Sequence, residues 1–116
     1  MSLPVEAVLL RVFVGESDRF HGRPLAEAIL LKALELKMAG ATLLPGPKGF
    51  GRSRRIHSEI NVDAAPRSPM VVEIIDAREK IDAFLPAVDE MVETGLVTLE
   101  IVQARFYSSD RPPAPR

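Results

Sequence analysis

Residues 5–14, Val-Glu-Ala-Val-Leu-Leu-Arg-Val-Phe-Val, constrain the fold more than any other stretch of this chain. Read as a strand, they put Val8, Leu10, Val12 and Val14 on one face and Leu9, Arg11 and Phe13 on the other. A strand apolar on both faces belongs in the middle of a sheet, covered from both sides. One layer of helices covers only one side. The second cover must come from somewhere else, and with 116 residues the chain has one domain's worth of material to supply it.

The following segments alternate in kind. Gly15-Glu16-Ser17-Asp18 ends the first strand, and residues 16–24 read as a polar loop holding Arg19, His21 and Arg23. Pro24 suits the first turn of a helix, where its missing N–H is not needed. Leu25, Ala28, Ile29, Ala33 and Leu36 recur at helical spacing, which predicts a helix over 24–39 with Gly40 as its left-handed cap. A short strand, 41–45, follows. Pro45 offers no ladder donor, so this strand stops there or runs along an edge.

Residues 70–75, Met-Val-Val-Glu-Ile-Ile, are the clearest strand in the sequence. Asp76 and Glu79 then have the spacing of a capping box, and Ile81, Phe84, Leu85, Val88, Met91 and Val92 trace a helical stripe. Pro86 inside that stripe predicts a kink or a division into two short helices. Gly95 is expected to close this helix. Residues 96–106 form a last strand, with Leu99 and Ile101 on one face and Glu100, Val102 and Ala104 on the other.

The order β-α-β-loop-β-α-β, built from right-handed units, gives an α+β fold of ferredoxin-like type. Its antiparallel sheet has four strands, with two helices on one face. The other face stays bare although its residues are apolar, so a further subunit is expected to cover it. A threefold arrangement is one closed solution among several. Residues 1–107 are expected to form one domain, and the proline-rich tail 108–116 to be disordered.

Between the second and third of these strands lies Gly46-Pro47-Lys48-Gly49-Phe50-Gly51-Arg52-Ser53-Arg54-Arg55-Ile56-His57. Residues 56–62 beyond it either prolong a β-ribbon or are mobile. Glycines let backbone N–H groups approach an anion, and guanidinium forks bind phosphate oxygens in pairs. The spacing is not that of a Walker loop. Three roles stay open for this segment: contact with a phosphate or nucleotide, contact with a protein partner, or a solvated hairpin tip.

Composition narrows the other classes. With 15 Lys+Arg against 16 Asp+Glu, the chain has no general pull toward polyanions, and its single Tyr and five Phe form no interleaved aromatic and basic face. No nucleic-acid partner is expected. The absence of cysteine removes thiolate nucleophiles, and no Gly-x-Ser-x-Gly elbow occurs, so no enzyme is expected. His21 and His57 on separate loops make no metal site, and no cofactor is expected. No apolar run approaches the ~20 residues of a membrane span. The start lacks the pattern of a signal peptide, so a cytoplasmic protein is expected.

Several motifs in order resemble the small PII-like family known as domain of unknown function 190. They are Leu10-Arg11-Val12-Phe13-Val14-Gly15-Glu16, Gly22-Arg23-Pro24-Leu25, Ala39-Gly40-Ala41-Thr42, Gly49-Phe50-Gly51 and Arg55-Ile56-His57. Val72-Glu73-Ile74-Ile75-Asp76, Leu85-Pro86 and Gly95-Leu96-Val97-Thr98-Leu99-Glu100 complete the set. The resemblance covers residues 8–107. It implies a trimer related in architecture to PII signalling proteins, which bind adenine nucleotides in clefts between subunits. Those proteins engage target proteins, often membrane transporters, through the long loop after the second strand.

By that similarity, residues 46–68 are the loop and the turn 93–98 is the second wall of the cleft. The ligand set it implies is Lys48, Gly49, Gly51, Arg52, Arg54, Arg55, His57 and Gly95. The arginines would contact phosphates, the glycines would allow close backbone approach, and a neutral His57 imidazole would meet a base. The turn Glu93-Thr94-Gly95-Leu96-Val97-Thr98 departs from PII signalling proteins, whose longer turn carries glycine and lysine for phosphate. The alternative reading is a protein-interaction module with no small ligand.

Overall fold

The computed structural model describes residues 4–46, 48–49, 57–58 and 68–107. Its elements run β1 (Pro4–Gly15), β2 (Arg19–Phe20), β3 (Arg23–Pro24), α1 (Leu25–Glu35), β4 (Gly40–Pro45), β5 (Lys48–Gly49), β6 (His57–Ser58), β7 (Pro69–Asp76), α2 (Arg78–Met91) and β8 (Leu96–Arg105). The main sheet has the order β4-β7-β1-β8, and every neighbouring pair is antiparallel. This is the ferredoxin-like arrangement that the element order predicts. β1 is central, and β4, ending at Pro45, lies on an edge.

The alternation in β1 decides where the core forms. Val8, Leu10, Val12 and Val14 are buried, together with Val72 and Ile74 of β7. They pack against Leu25, Ala28, Ile29 and Ala33 of α1 and Ile81, Phe84 and Val88 of α2, so both helices lie on that face. The largest of these side chains, Phe84, is 1% exposed. Its truncation to alanine would remove about 3–5 kcal/mol.

Local chemistry departs from the sequence reading in several places. The loop 16–24 contains a small hairpin, β2 paired with β3, turning through His21 (φ 51°) and Gly22 (φ 79°). Two consecutive positive φ values match the twist of a two-residue hairpin turn, and only glycine adopts them without strain. The first helix stops at Glu35, earlier than 39, and its left-handed cap residue is Lys37 (φ 58°), not Gly40. Met38 N–H donates to the Ala33 carbonyl (3.0 Å) and Lys37 N–H to that of Leu34 (3.1 Å), the paired bonds of a Schellman ending. Gly40 instead opens β4.

The second helix is continuous through Pro86, not divided in two. Pro86 is exposed, so the carbonyl it leaves unpaired one turn back lies on the solvent side of the helix. The capping box is absent, because the N-cap is Ala77. Asp76 accepts from its neighbour Ala77 N–H (2.7 Å) and from Ala39 N–H (2.9 Å), tying the end of β7 to the start of β4. Gly95 does not end α2, which stops at Met91; it packs against β1.

Candidate functional site

Three connections meet at the end of the sheet where β1 finishes. The stem of the long loop leaves from β4 and β7, where Gly46 N–H donates to the Pro69 carbonyl (2.8 Å). The turn after β1 is bonded to that stem, Glu16 N–H donating to the Ser68 carbonyl (2.8 Å). Asp18 braces the turn by accepting from Gly15 N–H (2.8 Å). On the other side of β1, the connection from α2 to β8 lies so close that a Cβ on Gly95 would stand 2.7 Å from the Phe13 carbonyl oxygen. A glycine is required there for packing alone.

The loop stem and the 93–98 turn therefore share one end of the sheet but flank β1 on opposite sides. From β7 to β8 is two strand spacings, or ~10 Å. β4 and β8 are the two edges of the sheet, so the root of the loop and the turn stand on opposite sides of β1.

Of the expected ligand residues, Lys48 and Gly49 lie in β5 and His57 in β6. The two strands pair with Lys48 opposite Ser58 and Gly49 opposite His57, a short ribbon of their own within the loop. Gly51, Arg52, Arg54 and Arg55 lie outside the described residues, as do most of 56–62 and the tail 108–116. Gly95 sits in the turn across β1. At the root of the stem, Ser68 is 2% exposed, and its Oγ has no hydrogen-bond partner among the described residues.

The sheet face turned away from the helices carries a feature that the sequence reading did not single out. Strand pairing aligns Leu44, Val71, Phe13 and Leu96 in one row across four strands. The next row is Thr42, Glu73, Arg11 and Thr98, and the one after it Gly40, Ile75, Leu9 and Glu100. Arg11 Nε donates to Glu73 Oε2 (2.9 Å) and its terminal nitrogen to Glu100 Oε1 (3.3 Å). The Arg11 pKa is raised, first by the hydrogen bond to Glu73, against a lowering by desolvation, with Glu100 adding to the rise. The available signal was Arg11 itself, a charge set between Leu10 and Val12 in the most apolar part of β1.

β8 is also open on the helix side, where Leu99 and Ile101 are 52% and 60% exposed. On the outer surface of the helices, α1, α2 and the small hairpin enclose an open groove of about 620 Å³. Phe20, His21, Arg23, Lys32 and Glu90 are among the residues lining it. The His21 ring stacks on Phe20 with centroids 4.0 Å apart.

A four-stranded sheet in this order, backed by two helices and extended by a ribbon between its second and third long strands, is the subunit architecture of PII-like proteins. The chain belongs to the DUF190 family (Uncharacterized ACR), whose model matches residues 7–104. It is 36% identical over 102 residues to a UPF0166 protein of Aquifex aeolicus, covering 88% of this chain and 96% of that protein.

Among solved structures, it resembles CPII, a nitrogen regulatory PII-like protein from Thiomonas intermedia K12, bound to ADP, AMP and bicarbonate. The TM-score is 0.61 at 11% identity, over 91% of this chain and 94% of that one. CutA1 from Oryza sativa is similar too, with TM-score 0.57 at 11% identity over 92% and 85% of the two chains. Likeness at this identity shows the fold alone. Among the described residues, no helix is long and apolar enough to cross a membrane.

Proposed function

We propose that the protein is a non-enzymatic, cytoplasmic PII-like regulator that binds an adenine nucleotide in clefts between copies of itself. The observation that carries this reading is the placement of the two walls. The root of the loop and the 93–98 turn lie at one end of the sheet, on opposite sides of β1. A cleft built from both is completed when the loop of one copy meets the turn of the next, and a homotrimer is the closed arrangement the family resemblance implies.

In this reading Lys48, Arg52, Arg54 and Arg55 hold phosphates, Gly49 and Gly51 let the backbone approach, His57 meets the base and Gly95 shapes the opposite wall. Nucleotide then changes the 46–68 loop and its fit to a target protein, such as a membrane transporter. That requires different affinity for two loop states. Support comes from family membership and from a fold shared with a PII-like protein that binds ADP and AMP.

Calorimetric titration with ATP, ADP and AMP, with and without magnesium, tests the proposal. Saturable binding near one ligand per subunit, lost in Arg54→Ala, is expected. Silence across the panel at concentrations that reveal micromolar affinity would sink it and leave a protein-interaction module.

A further inference from the structure

The two helices run antiparallel, which sets opposite helix ends side by side. Lys80 Nζ of α2 donates to the Leu36 carbonyl (3.2 Å), tying the start of α2 to the end of α1. The end of α2 at Met91 therefore lies beside the start of α1 and the small hairpin, and the groove of about 620 Å³ opens among the three. That volume falls within the ~300–1,000 Å³ of small-molecule sites.

The groove carries charge of both signs around an apolar middle. Ala28 and Met91 are buried in its lining, and Leu31 is partly exposed. Phe20 and His21 form a flat wall, their rings stacked within 12° of parallel. Lys32 and Glu35 satisfy each other on α1 (2.9 Å). That leaves Arg23 and Glu90, one base and one acid, neither in an ion pair among the described residues.

The backbone reinforces the acid. α2 finishes on Asp89-Glu90-Met91 with no base in its last turn, so the negative end of its dipole is uncompensated and favours a cation. The hairpin supplies the opposite preference, because the Arg23 guanidinium presents a fork of donors suited to a carboxylate. A simple anion meets Glu90 and the end of α2, and a simple cation meets Arg23 and Lys32. A molecule that carries both charges on an apolar body suits the whole lining.

We propose that this groove binds a free α-amino acid with an apolar side chain. Its carboxylate pairs with Arg23, its ammonium with Glu90 and the end of α2, and its side chain packs on Leu31, Met91 and the Phe20–His21 wall. All of these residues belong to one copy, so the inference does not depend on the nucleotide cleft proposed above.

Titration of the protein's amide NMR shifts with L-leucine and L-phenylalanine tests it. Saturable shifts in the hairpin, α1 and the last turn of α2 are expected. Two analogues isolate the charges: 4-methylpentanoate lacks the ammonium and leucinamide lacks the carboxylate. Each should bind about ten- to hundredfold more weakly than L-leucine, and so should L-leucine to Arg23→Gln or Glu90→Gln, two substitutions of exposed side chains.

No saturable shift at ~10 mM ligand, which fills a ~1 mM site about nine-tenths, would overturn the proposal. So would an analogue that binds as tightly as L-leucine, shifts confined to other parts of the chain, or affinity unchanged in both variants. Each of these leaves the nucleotide reading standing, and silence toward nucleotides leaves this site standing.

Discussion

Lys37 offers a sharp test of how α1 ends, because the sequence points to a glycine three positions later. At φ 58° a lysine Cβ crowds the following carbonyl, at about 1–2 kcal/mol. Lys37→Gly relieves that but gives back about 0.5–1 kcal/mol of unfolded-state entropy. The net gain is about 0.5–1 kcal/mol. Unfolding entropy near 2.1 cal/mol/K per residue over about 100 folded residues makes 1 kcal/mol worth ~5 °C, so the melting temperature should rise ~2–5 °C.

Gly40→Ala is the control. Gly40 is not among the positive-φ glycines, and its added Cβ would meet the Ile75 Cγ2 methyl at 3.2 Å, a contact that a shift of a few tenths of an ångström relieves. It should change stability by no more than about 0.5 kcal/mol. Thermal unfolding followed by far-UV circular dichroism, at one protein concentration, reads both. If Lys37→Gly lowers the midpoint, or Gly40→Ala lowers it by more than ~5 °C, the Schellman ending is misassigned and Gly40 is the cap.

Two further substitutions probe the end of the sheet. Ser68→Ala removes a buried hydroxyl that has no partner among the described residues, so it should be neutral or stabilise by up to about 1 kcal/mol, with an unchanged urea m-value. A loss above ~1 kcal/mol would mean that the Oγ is satisfied in solution. Gly95→Ala forces a Cβ against the Phe13 carbonyl and should destabilise by about 1–3 kcal/mol in the same urea assay. A neutral result would show that the 92–95 connection is free to move away from β1.

Much of the fold was legible because its strongest signals are periodic. The two-faced apolar pattern of 5–14 placed β1 at the centre, and the stripe through Ile81, Phe84 and Val88 gave α2 its buried face. What failed was punctuation. Glycine and proline mark where a chain can turn, whereas tertiary contacts decide where it does. Lys37 takes the left-handed position because Met38 then packs against the core, and Asp76 serves Ala39 across the fold instead of a capping box.

The β2–β3 hairpin is not legible in the sequence because strands of two residues carry no periodicity. For the site, the sequence singled out the glycine and arginine loop, of which Gly46 and the short ribbon Lys48–Gly49 against His57–Ser58 lie among the described residues. The Arg11 cluster was hidden for a different reason. Glu73 and Glu100 are 62 and 89 residues away from Arg11, and only the strand register brings the three together.

Subunit mixing distinguishes a nucleotide cleft made from the loop of one copy and the turn of the next from a cleft within one copy. One variant, Arg54→Ala with Arg55→Ala, spoils the loop. The other, Thr94→Glu, sets a carboxylate on the exposed turn. Each alone should bind no nucleotide by calorimetry. Unfolded together and refolded at equal amounts, they should regain about one quarter of the sites, the chance that an intact loop meets an intact turn across an interface. No recovery in mixed assemblies verified by mass spectrometry would mean that both walls belong to one copy, contradicting the account.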